Sequence, residues 1–288
     1  MFKDTTSYYR QPVGFGPAAG PRQGPDGQRF TTWKEARVQL TSVVYDCDRA
    51  SAQSLLPEGY EIASETQQAT VLFEVMNLRN LPWLAGRGYN TWGVYVNDVV
   101  CKLSDESVKA SYLLVLFENF CDPIVTGREE LGFPKVWAEL PDPITQEDHL
   151  VHTASWLGTE FMRLAVPVQE RPVEESPSMN ARPYTMPSVE GLLHHRYVPT
   201  VGEPGKHDAS YPIFVPGGGS KTPPITRYFA PTGSIQDCNL QIARHPWEKL
   251  PTIHNIVDGL ASLKLGRVRE FAHQDIAGAG DVSGVRKL

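Results

Sequence analysis

The chain's most informative segment is Gly127-Arg128-Glu129-Glu130-Leu131-Gly132-Phe133-Pro134-Lys135. An apolar run at residues 111–117 precedes it and predicts a strand. Asp122 is suited to cap a helix whose first residue is Pro123, and Gly132 is suited to end that helix after about three turns. The pattern therefore predicts a strand, a turn, a short helix and then Lys135.

Two interpretations of Lys135 are open from these residues alone. Its neighbours Phe133, Val136 and Trp137 are large and apolar, and burial among them would disfavour the charged amine and lower its pKa. A neutral amine can attack a carbonyl carbon and form an imine. Alternatively, Lys135 is solvated and faces the negative end of the preceding helix, which would raise its pKa and weaken it as a nucleophile.

The segment resembles the acetoacetate decarboxylase family, which carries a Gly-Arg-Glu … Pro-Lys segment. The matching residues here are Gly127, Arg128, Glu129, Pro134 and Lys135. In that family the lysine forms a Schiff base with a β-keto acid, and it is an established example of an activated lysine. The resemblance covers roughly residues 35–168 and 226–272.

The resemblance also implies site residues upstream of the segment. Residues 73–76 match a family strand whose glutamate lies in the active site, which implies a catalytic role for Glu74. Glu74 is the only charged residue in an apolar run, and a solvent-facing position on the strand is one alternative. The other residues on its face, Leu72 and Met76, are apolar, which favours an inward position with a partner such as Lys135 or an arginine. Arg37 lies within one position of the family's active-site arginine, but a surface arginine on an edge strand is an equal alternative.

Two departures from the family pattern bear on the reaction. The family usually has a second lysine after the first, where this chain has Val136, and a second active-site glutamate, whose place Thr91 comes nearest to taking. These changes remove one charge that lowers the lysine pKa and alter proton handling. The resemblance therefore supports imine formation more strongly than it supports decarboxylation of acetoacetate itself.

Several side chains are predicted to bind substrate. Arg128 or Arg37 would hold a substrate carboxylate, and we expect four further residues to line the site: Tyr89, Thr91, Trp92 and Phe133. Residues 78–92 have the length and glycine content of a flap over a pocket, although a plain surface connection is the alternative.

The remaining pattern indicates the fold. Strand-like alternation at residues 37–45 is followed by strand patterns at residues 70–76, 93–103 and 111–117, and by a hairpin at residues 149–168. We predict an α+β fold with a mainly antiparallel, curved or barrel-like sheet and short helices. The resemblance implies the same acetoacetate-decarboxylase-like architecture.

The domain prediction has three parts. Residues 1–32 form an extended N-terminal arm, residues 33–272 a single acetoacetate-decarboxylase-like domain, and residues 273–288 a flexible tail. Within the domain, residues 167–224 are a proline-rich insertion that serves as a lid or an oligomer contact. His194-His195 in this insertion do not predict a metal site, because adjacent side chains point apart.

Composition narrows the function classes. The net charge of −6 gives no basic surface for nucleic acid, and no apolar run is long enough to span a membrane. The N-terminus lacks the apolar core of a signal peptide, and four scattered cysteines without a CxxC pair indicate reduced thiols in a cytoplasmic protein. We expect no metal and no other cofactor.

The function predicted from these observations is a Schiff-base-forming lyase acting through Lys135 and Glu74 on a small-molecule keto acid or polyketide-like carbonyl substrate. Decarboxylation of a β-keto acid is the favoured reaction. An aldolase, dehydratase or cyclase of the same fold is the first alternative, and a non-covalent ligand-binding protein that keeps Lys135 as a charged anchor is the second. We expect a homo-oligomer that binds neither nucleic acid nor membrane.

Overall fold

The computed structural model describes residues 6–177, 191–217, 225–278 and 284–288. Its strands are β1 (Arg37–Cys47), β2 (Tyr60–Ile62), β3 (Ala69–Leu81), β4 (Arg87–Cys101), β5 (Lys109–Glu118), β6 (Lys135–Trp137), β7 (Ile144–Gln146), β8 (His149–Trp156), β9 (Thr159–Pro167), β10 (Glu174–Pro177), β11 (Gly191–Pro199), β12 (His207–Pro216), β13 (Ile225–Phe229), β14 (Asn239–Ile242), β15 (Leu265–Ala277) and β16 (Arg286–Lys287). The helices are α1 (Arg49–Gln53), α2 (Cys121–Thr126) and α3 (His254–Leu260).

The described strands form two sheets. The larger follows the order β10-β13-β15-β1-β3-β4-β5-β11-β12-β16, with β2 added beside β4 and β6 beside β5. The smaller has the order β14-β9-β8-β7. Pairing is antiparallel apart from β5 with β11 and β5 with β6. The predicted α+β fold with a mainly antiparallel sheet and short helices is confirmed, and among the described strands the large sheet is not closed into a barrel.

The two faces of the large sheet pack differently, because successive side chains of a strand point to opposite faces. One face packs against the small sheet, and their shared core includes Phe73, Trp92, Phe117 and Phe161, all fully buried. Fully burying a side chain of this size contributes roughly 1.5–3 kcal/mol. The other face carries a separate apolar cluster that includes Leu72, Tyr95, Leu116, Phe133 and Leu192, and this second face carries Lys135.

The segment before Lys135 folds nearly as its sequence predicts. Helix α2 runs into a π-helical turn, Gly127–Leu131, and Gly132 ends the helical path in the left-handed conformation with φ of 72°. Glycine adopts that conformation without steric cost, which is why it stops the helix here. One detail is wrong: Phe120 is the N-cap of α2, and it makes no side-chain cap.

The prediction of a flap at residues 78–92 is wrong. Strand β3 continues to Leu81 and β4 begins at Arg87, so most of that range is paired strand. Only a short connection containing the 3-10 turn Pro82–Leu84 separates the two strands. The glycines that favoured a loop, Gly86 and Gly88, lie at the hairpin end, where a Cβ on Gly88 would lie 1.9 Å from the Leu78 carbonyl oxygen.

The N-terminal arm lies against the segment that precedes Lys135. Arg10 pairs with Glu130 at 3.0 Å and also donates to Thr126 Oγ1. Arg22 and Gln23 of the arm are buried. This part of the arm is therefore ordered by contact with the helical turn.

The insertion and the tail contribute strands. Strands β11 and β12 form a hairpin that extends the large sheet beyond β5, and β15 pairs with β1 as far as Ala277. Residues 178–190 and 218–224 of the insertion, and 279–283 of the tail, lie outside the described residues. The boundaries at residues 32, 167–224 and 272 stay predictions.

All four cysteines are free, and Cys121 is the exposed one. No helix in the described ranges combines the length and apolar character that crossing a bilayer requires.

Candidate active site

Lys135 begins strand β6, and its backbone lies opposite Leu116 of the parallel neighbour β5. The residue is 8% exposed. Its side chain runs across Gly127, where an added Cβ would lie 2.3 Å from Lys135 Cε and 2.6 Å from Nζ. Glycine at position 127 therefore leaves the space that the amine occupies.

Among the residues that the structure describes, three groups lie close to the Lys135 amine. Nζ lies 2.8 Å from Glu118 Oε1 and donates a hydrogen bond of 3.0 Å to the Pro123 carbonyl oxygen. It also lies 5.7 Å from the centroid of the Phe133 ring. The alternative interpretation of Lys135 as a solvated lysine is therefore wrong, because the amine is enclosed and paired with a carboxylate.

Glu118 is 1% exposed, and burial raises the pKa of its carboxyl group, although the charge of Lys135 opposes that rise. Lys135 Nζ, at an ion-pair distance from Oε1, is the one side-chain donor that the described residues place at this carboxylate, and Oε2 has no hydrogen-bond partner among them. A carboxylate short of donors in a dry site gains from binding a proton. Glu118 is therefore placed to take a proton from the amine.

Glu74 shares the face that carries Lys135. Register places Glu74 opposite Gly93 of β4, Gly93 opposite Leu116 of β5, and Leu116 opposite Lys135. Directly opposed residues point to the same side, so Glu74 points inward as its apolar surroundings predicted. Three strand spacings, about 14 Å between the Cα positions, separate it from Lys135.

Glu74 accepts a hydrogen bond of 3.0 Å from the Tyr95 hydroxyl. The Tyr95 ring passes over Gly93, where a Cβ would lie 2.6 Å from ring atom Cε2. Gly93 thus allows Tyr95 to reach across the sheet, and the hydroxyl orients a carboxylate that is 1% exposed.

The structure brings three of the predicted lining residues to this face. Phe133 is beside the amine, and Thr91 lies opposite Glu118 in the β4–β5 register, with an Oγ1 that has no hydrogen-bond partner among the described residues. Tyr89 is on the same face two residues before Thr91 in β4, with its ring centroid 6.3 Å from that of Trp83. The position nearest the family's second glutamate, Thr91, thus has a carboxylate on the adjacent strand.

Two predicted residues, Trp92 and Arg37, lie away from the amine. Trp92 is fully buried on the opposite face, in the core between the sheets. Arg37 pairs across from Arg79, is exposed, and donates to the Lys34 and Ala36 carbonyl oxygens. Arg37 lies five residues, or about 17 Å, along β1 from Ser42, and Ser42 is the residue opposite Glu74.

Arg128 lies next to the site but does not point at the amine. Its Nη1 donates a hydrogen bond of 2.9 Å to the Lys135 carbonyl oxygen. Arg196 of β11 donates in turn to the Glu129 carbonyl oxygen at 2.8 Å. Both guanidinium groups therefore brace the backbone of the turn that presents Lys135.

Two residues at the site were not predicted from the sequence. Glu118 is the last residue of β5, one position beyond the apolar run that predicts this strand, and its only signal in the sequence is a carboxylate at the end of a buried run. His194 was considered only as a metal ligand. Among the described residues, no group of three or more His, Cys, Asp or Glu side chains is arranged to hold a metal ion.

Comparison with known protein families identifies the family to which the chain belongs. A family model described as acetoacetate decarboxylase matches residues 11–224, well over half of the chain. Comparison with curated protein sequences gives no match.

Several solved structures share the fold. A structure described as acetoacetate decarboxylase has a TM-score of 0.56 at 16% identity, covering 88% of this chain and 89% of that one. The acetoacetate decarboxylase of Legionella pneumophila has a TM-score of 0.55 at 16% identity and covers 92% of each chain. The enduracididine biosynthesis enzyme MppR, complexed with pyruvate, has a TM-score of 0.51 at 13% identity and covers 91% of this chain and 95% of that one. At these identities the likeness shows the fold alone.

Proposed function

The chain belongs to the acetoacetate decarboxylase family, and on that premise we propose that it is a Schiff-base-forming lyase whose nucleophile is Lys135. The substrate is a keto acid or a related carbonyl compound, and the reaction is decarboxylation of a β-keto acid. One observation carries the proposal: a nearly buried amine lies 2.8 Å from a buried carboxylate that is short of hydrogen-bond donors.

The first half of the reaction makes the imine. Glu118 takes a proton from the Lys135 ammonium, and the neutral amine attacks the ketone carbon to give a carbinolamine. Glu118 returns the proton to the hydroxyl group, which leaves as water, and a protonated imine remains. The raised pKa of Glu118 suits it to carry this proton in both directions.

The second half breaks the carbon–carbon bond. The bond between the α-carbon and the carboxylate breaks, carbon dioxide leaves, and the electron pair moves towards the imine nitrogen to form an enamine. A proton then returns to that carbon, and water hydrolyses the new imine to release the ketone and free Lys135. Glu74, held by Tyr95 on the same face, is the second carboxylate available for proton transfer.

Arg128 is a positioning residue in this proposal. Its contact with the Lys135 carbonyl oxygen fixes the backbone of the nucleophile, so a substrate carboxylate must find another partner. Phe133, Thr91 and Tyr89 would border the substrate, since all three lie on the face that carries the amine.

A second candidate is aldol condensation or dehydration through the same imine. Loss of carbon dioxide needs no base at carbon, whereas these reactions need one to remove a C–H proton. Glu118 and Glu74 both supply buried carboxylates on that face. The fold relative MppR was solved with pyruvate, an α-keto acid, which extends the substrates worth testing. Action on a polyketide-like substrate, a cytoplasmic location and a homo-oligomeric state stay predictions.

The test is borohydride trapping. The wild-type protein is incubated with β-keto acids, pyruvate and aldehydes, reduced, digested and analysed by mass spectrometry, with carbon dioxide measured in parallel. We expect a reduced adduct on the peptide that contains Lys135, none on Lys135→Arg, and an unchanged adduct on the control Lys102→Arg, whose amine is exposed.

Carbon dioxide release would assign decarboxylation, and an adduct without it would assign the second candidate. Absence of any adduct across the panel, with Lys135→Ala still active, would overturn the covalent proposal. Lys135 would then be a charged anchor in a non-covalent binding site.

A further inference from the structure

His194 of β11 is fully buried beside the residues that surround Lys135. Its ring centroid lies 4.4 Å from that of Phe133, with 36° between the planes. The same Phe133 ring contacts the Lys135 amine. His194 and the amine therefore both border one aromatic ring.

Strand alternation explains why His194 faces this way. Leu192, two residues earlier, packs in the cluster on the Lys135 face, and Leu193 packs in the core between the sheets. His195 consequently points to the other side, where its Nδ1 lies 3.0 Å from the Tyr60 hydroxyl and its Nε2 lies 3.0 Å from Ser210 Oγ. The two adjacent histidines thus have separate environments.

The ring nitrogens of His194 lack satisfied hydrogen bonds. Nδ1 and Nε2 are both buried and have no partner of good geometry among the described residues; the Gly132 backbone approaches the ring without reaching that geometry. An unsatisfied buried polar group is costly, so proteins seldom keep one without a use.

Two further unsatisfied atoms lie on the same face of the sheet. Thr91 Oγ1 and Glu118 Oε2 are also buried without a hydrogen bond from the described part of the chain, and both residues lie on the Lys135 face. Three side chains on the face that carries the amine therefore keep open hydrogen-bonding capacity, which a polar ligand bound there would satisfy.

The protonation state of His194 determines which hydrogen bonds its ring can make. The pKa of its ring is lowered to about 3, mainly by burial; the approach of the Gly132 backbone opposes this change, and the neighbouring His195 and Lys135 lower the pKa further. The ring is neutral at pH 7, with one N–H donor and one acceptor. A neutral imidazole can polarise a carbonyl oxygen by hydrogen bonding without transferring its proton.

We propose that His194 is a catalytic residue that donates a hydrogen bond from its imidazole to the oxygen of the substrate carbonyl while Lys135 attacks the carbon. This inference rests on the proposed imine chemistry. As the C–N bond forms, the electron pair of the C=O bond moves to oxygen, and the His194 N–H stabilises the charge. Glu118 holds the proton that left the amine and passes it to the oxygen, so His194 neither gains nor loses a proton.

The experiment compares three variants. His194→Leu removes the donor, His194→Gln keeps a neutral N–H donor, and His195→Gln is the matched control on the opposite face. Each is trapped with borohydride at saturating carbonyl substrate, and the rate of adduct formation, kcat, KM and Tm are measured.

We expect His194→Leu to lower the trapping rate and kcat by about 100-fold, with KM within about threefold, as for loss of one oxyanion donor. His194→Gln should recover at least a tenth of the wild-type rate, and His195→Gln should match the wild type. Tm of His194→Leu should be unchanged or higher, because the variant removes two unsatisfied nitrogens. A purely structural histidine would show a lower Tm instead.

The outcomes separate the two proposals. If the wild type forms no adduct, the imine proposal fails and the role of His194 fails with it. If the wild type forms the adduct and His194→Leu forms it equally fast, only the His194 proposal is overturned. If His194→Leu does not fold, ring-nitrogen NMR of ¹⁵N-histidine-labelled wild type, assigned with His194→Gln, decides: an unchanged His194 signal on trapping contradicts the proposal.

Discussion

Substitution of Gly127 by alanine should displace the nucleophile while sparing the fold. The new Cβ would lie 2.3 Å from Lys135 Cε, 2.5 Å from Cδ and 2.6 Å from Nζ. Ordinary carbon contacts need about 3.5–4.0 Å, so the end of the lysine must move by roughly 1–1.5 Å. The backbone of Gly127 is helical, with φ of −64°, and alanine fits it without strain.

The expected effects differ in size. Moving Nζ from 2.8 Å to about 4 Å from Glu118 costs about 2 kcal/mol of Coulomb attraction at an effective dielectric constant near 20. A 1 Å misplacement of a reacting group typically costs about 100-fold in rate. The free energy of unfolding should fall by no more than about 1–2 kcal/mol, because the helix preference of alanine over glycine offsets part of the lost attraction.

The assay is the rate of borohydride trapping, together with urea unfolding of the same preparation. Gly259→Ala in α3 is the matched control, since its Cβ would meet only Leu55 Cδ2, at 3.3 Å. A trapping rate for Gly127→Ala within threefold of the wild type, with unchanged stability, would refute the placement of the amine.

Proton handling, the N-terminal arm and the buried histidines give three further tests. Glu118→Gln keeps the side-chain size but cannot accept a proton, so we expect imine trapping to slow by about 100-fold or more; a rate within threefold would remove Glu118 as the base. Arg10→Met breaks the pair with Glu130, whose side chain is 3% exposed, and should lower the free energy of unfolding by about 2–3 kcal/mol in urea; a loss below about 0.5 kcal/mol would show that the pair does not hold the arm. The pKa of His273 is lowered by burial from 6.5 to about 4, so the unfolded chain binds its proton more tightly and stability must fall as pH decreases from about 6.5 towards 4. The free energy of unfolding should fall by about 1.4 kcal/mol per pH unit for each such histidine, and the fall should be shallower for His273→Gln. The same direction applies to His152 and His194, whose pKa is lowered to about 3. Equal urea midpoints at pH 7.5 and 5.5 would contradict this prediction.

Local patterns explain the parts of the structure that were predictable. Gly132 ends the helical path because few other residues tolerate its left-handed backbone, and this property is visible in one residue. Glu74 points inward because strand alternation places it among apolar side chains, which is also a local property. The sequence pattern does not show which of the neighbours Thr91 and Trp92 faces the site. Both residue types occur in buried strands, and successive side chains of a strand point to opposite faces.

Pairing between strands that are distant in sequence explains the features of the site that could not be predicted. Glu118 meets Lys135 only because β6 lies parallel to β5 with Lys135 opposite Leu116, and no residue in the intervening turn specifies that register. His194 reaches Phe133 because the β11–β12 hairpin joins the sheet beside β5, a pairing between segments about eighty residues apart. Arg37 was placed by its position in the family pattern, and its strand carries it to the far end of the sheet.

Imine formation at Lys135 can be measured without a trapping reagent, through the oxygen of the substrate. When Lys135 expels the carbonyl oxygen as water and the imine is hydrolysed, the regenerated ketone takes its oxygen from solvent. A ketone or keto acid that gives an adduct is therefore incubated in ¹⁸O-labelled water, and its mass is followed over time. The account predicts rapid exchange with the wild type and only the uncatalysed rate with Lys135→Arg; turnover of the substrate without exchange above that background would contradict it.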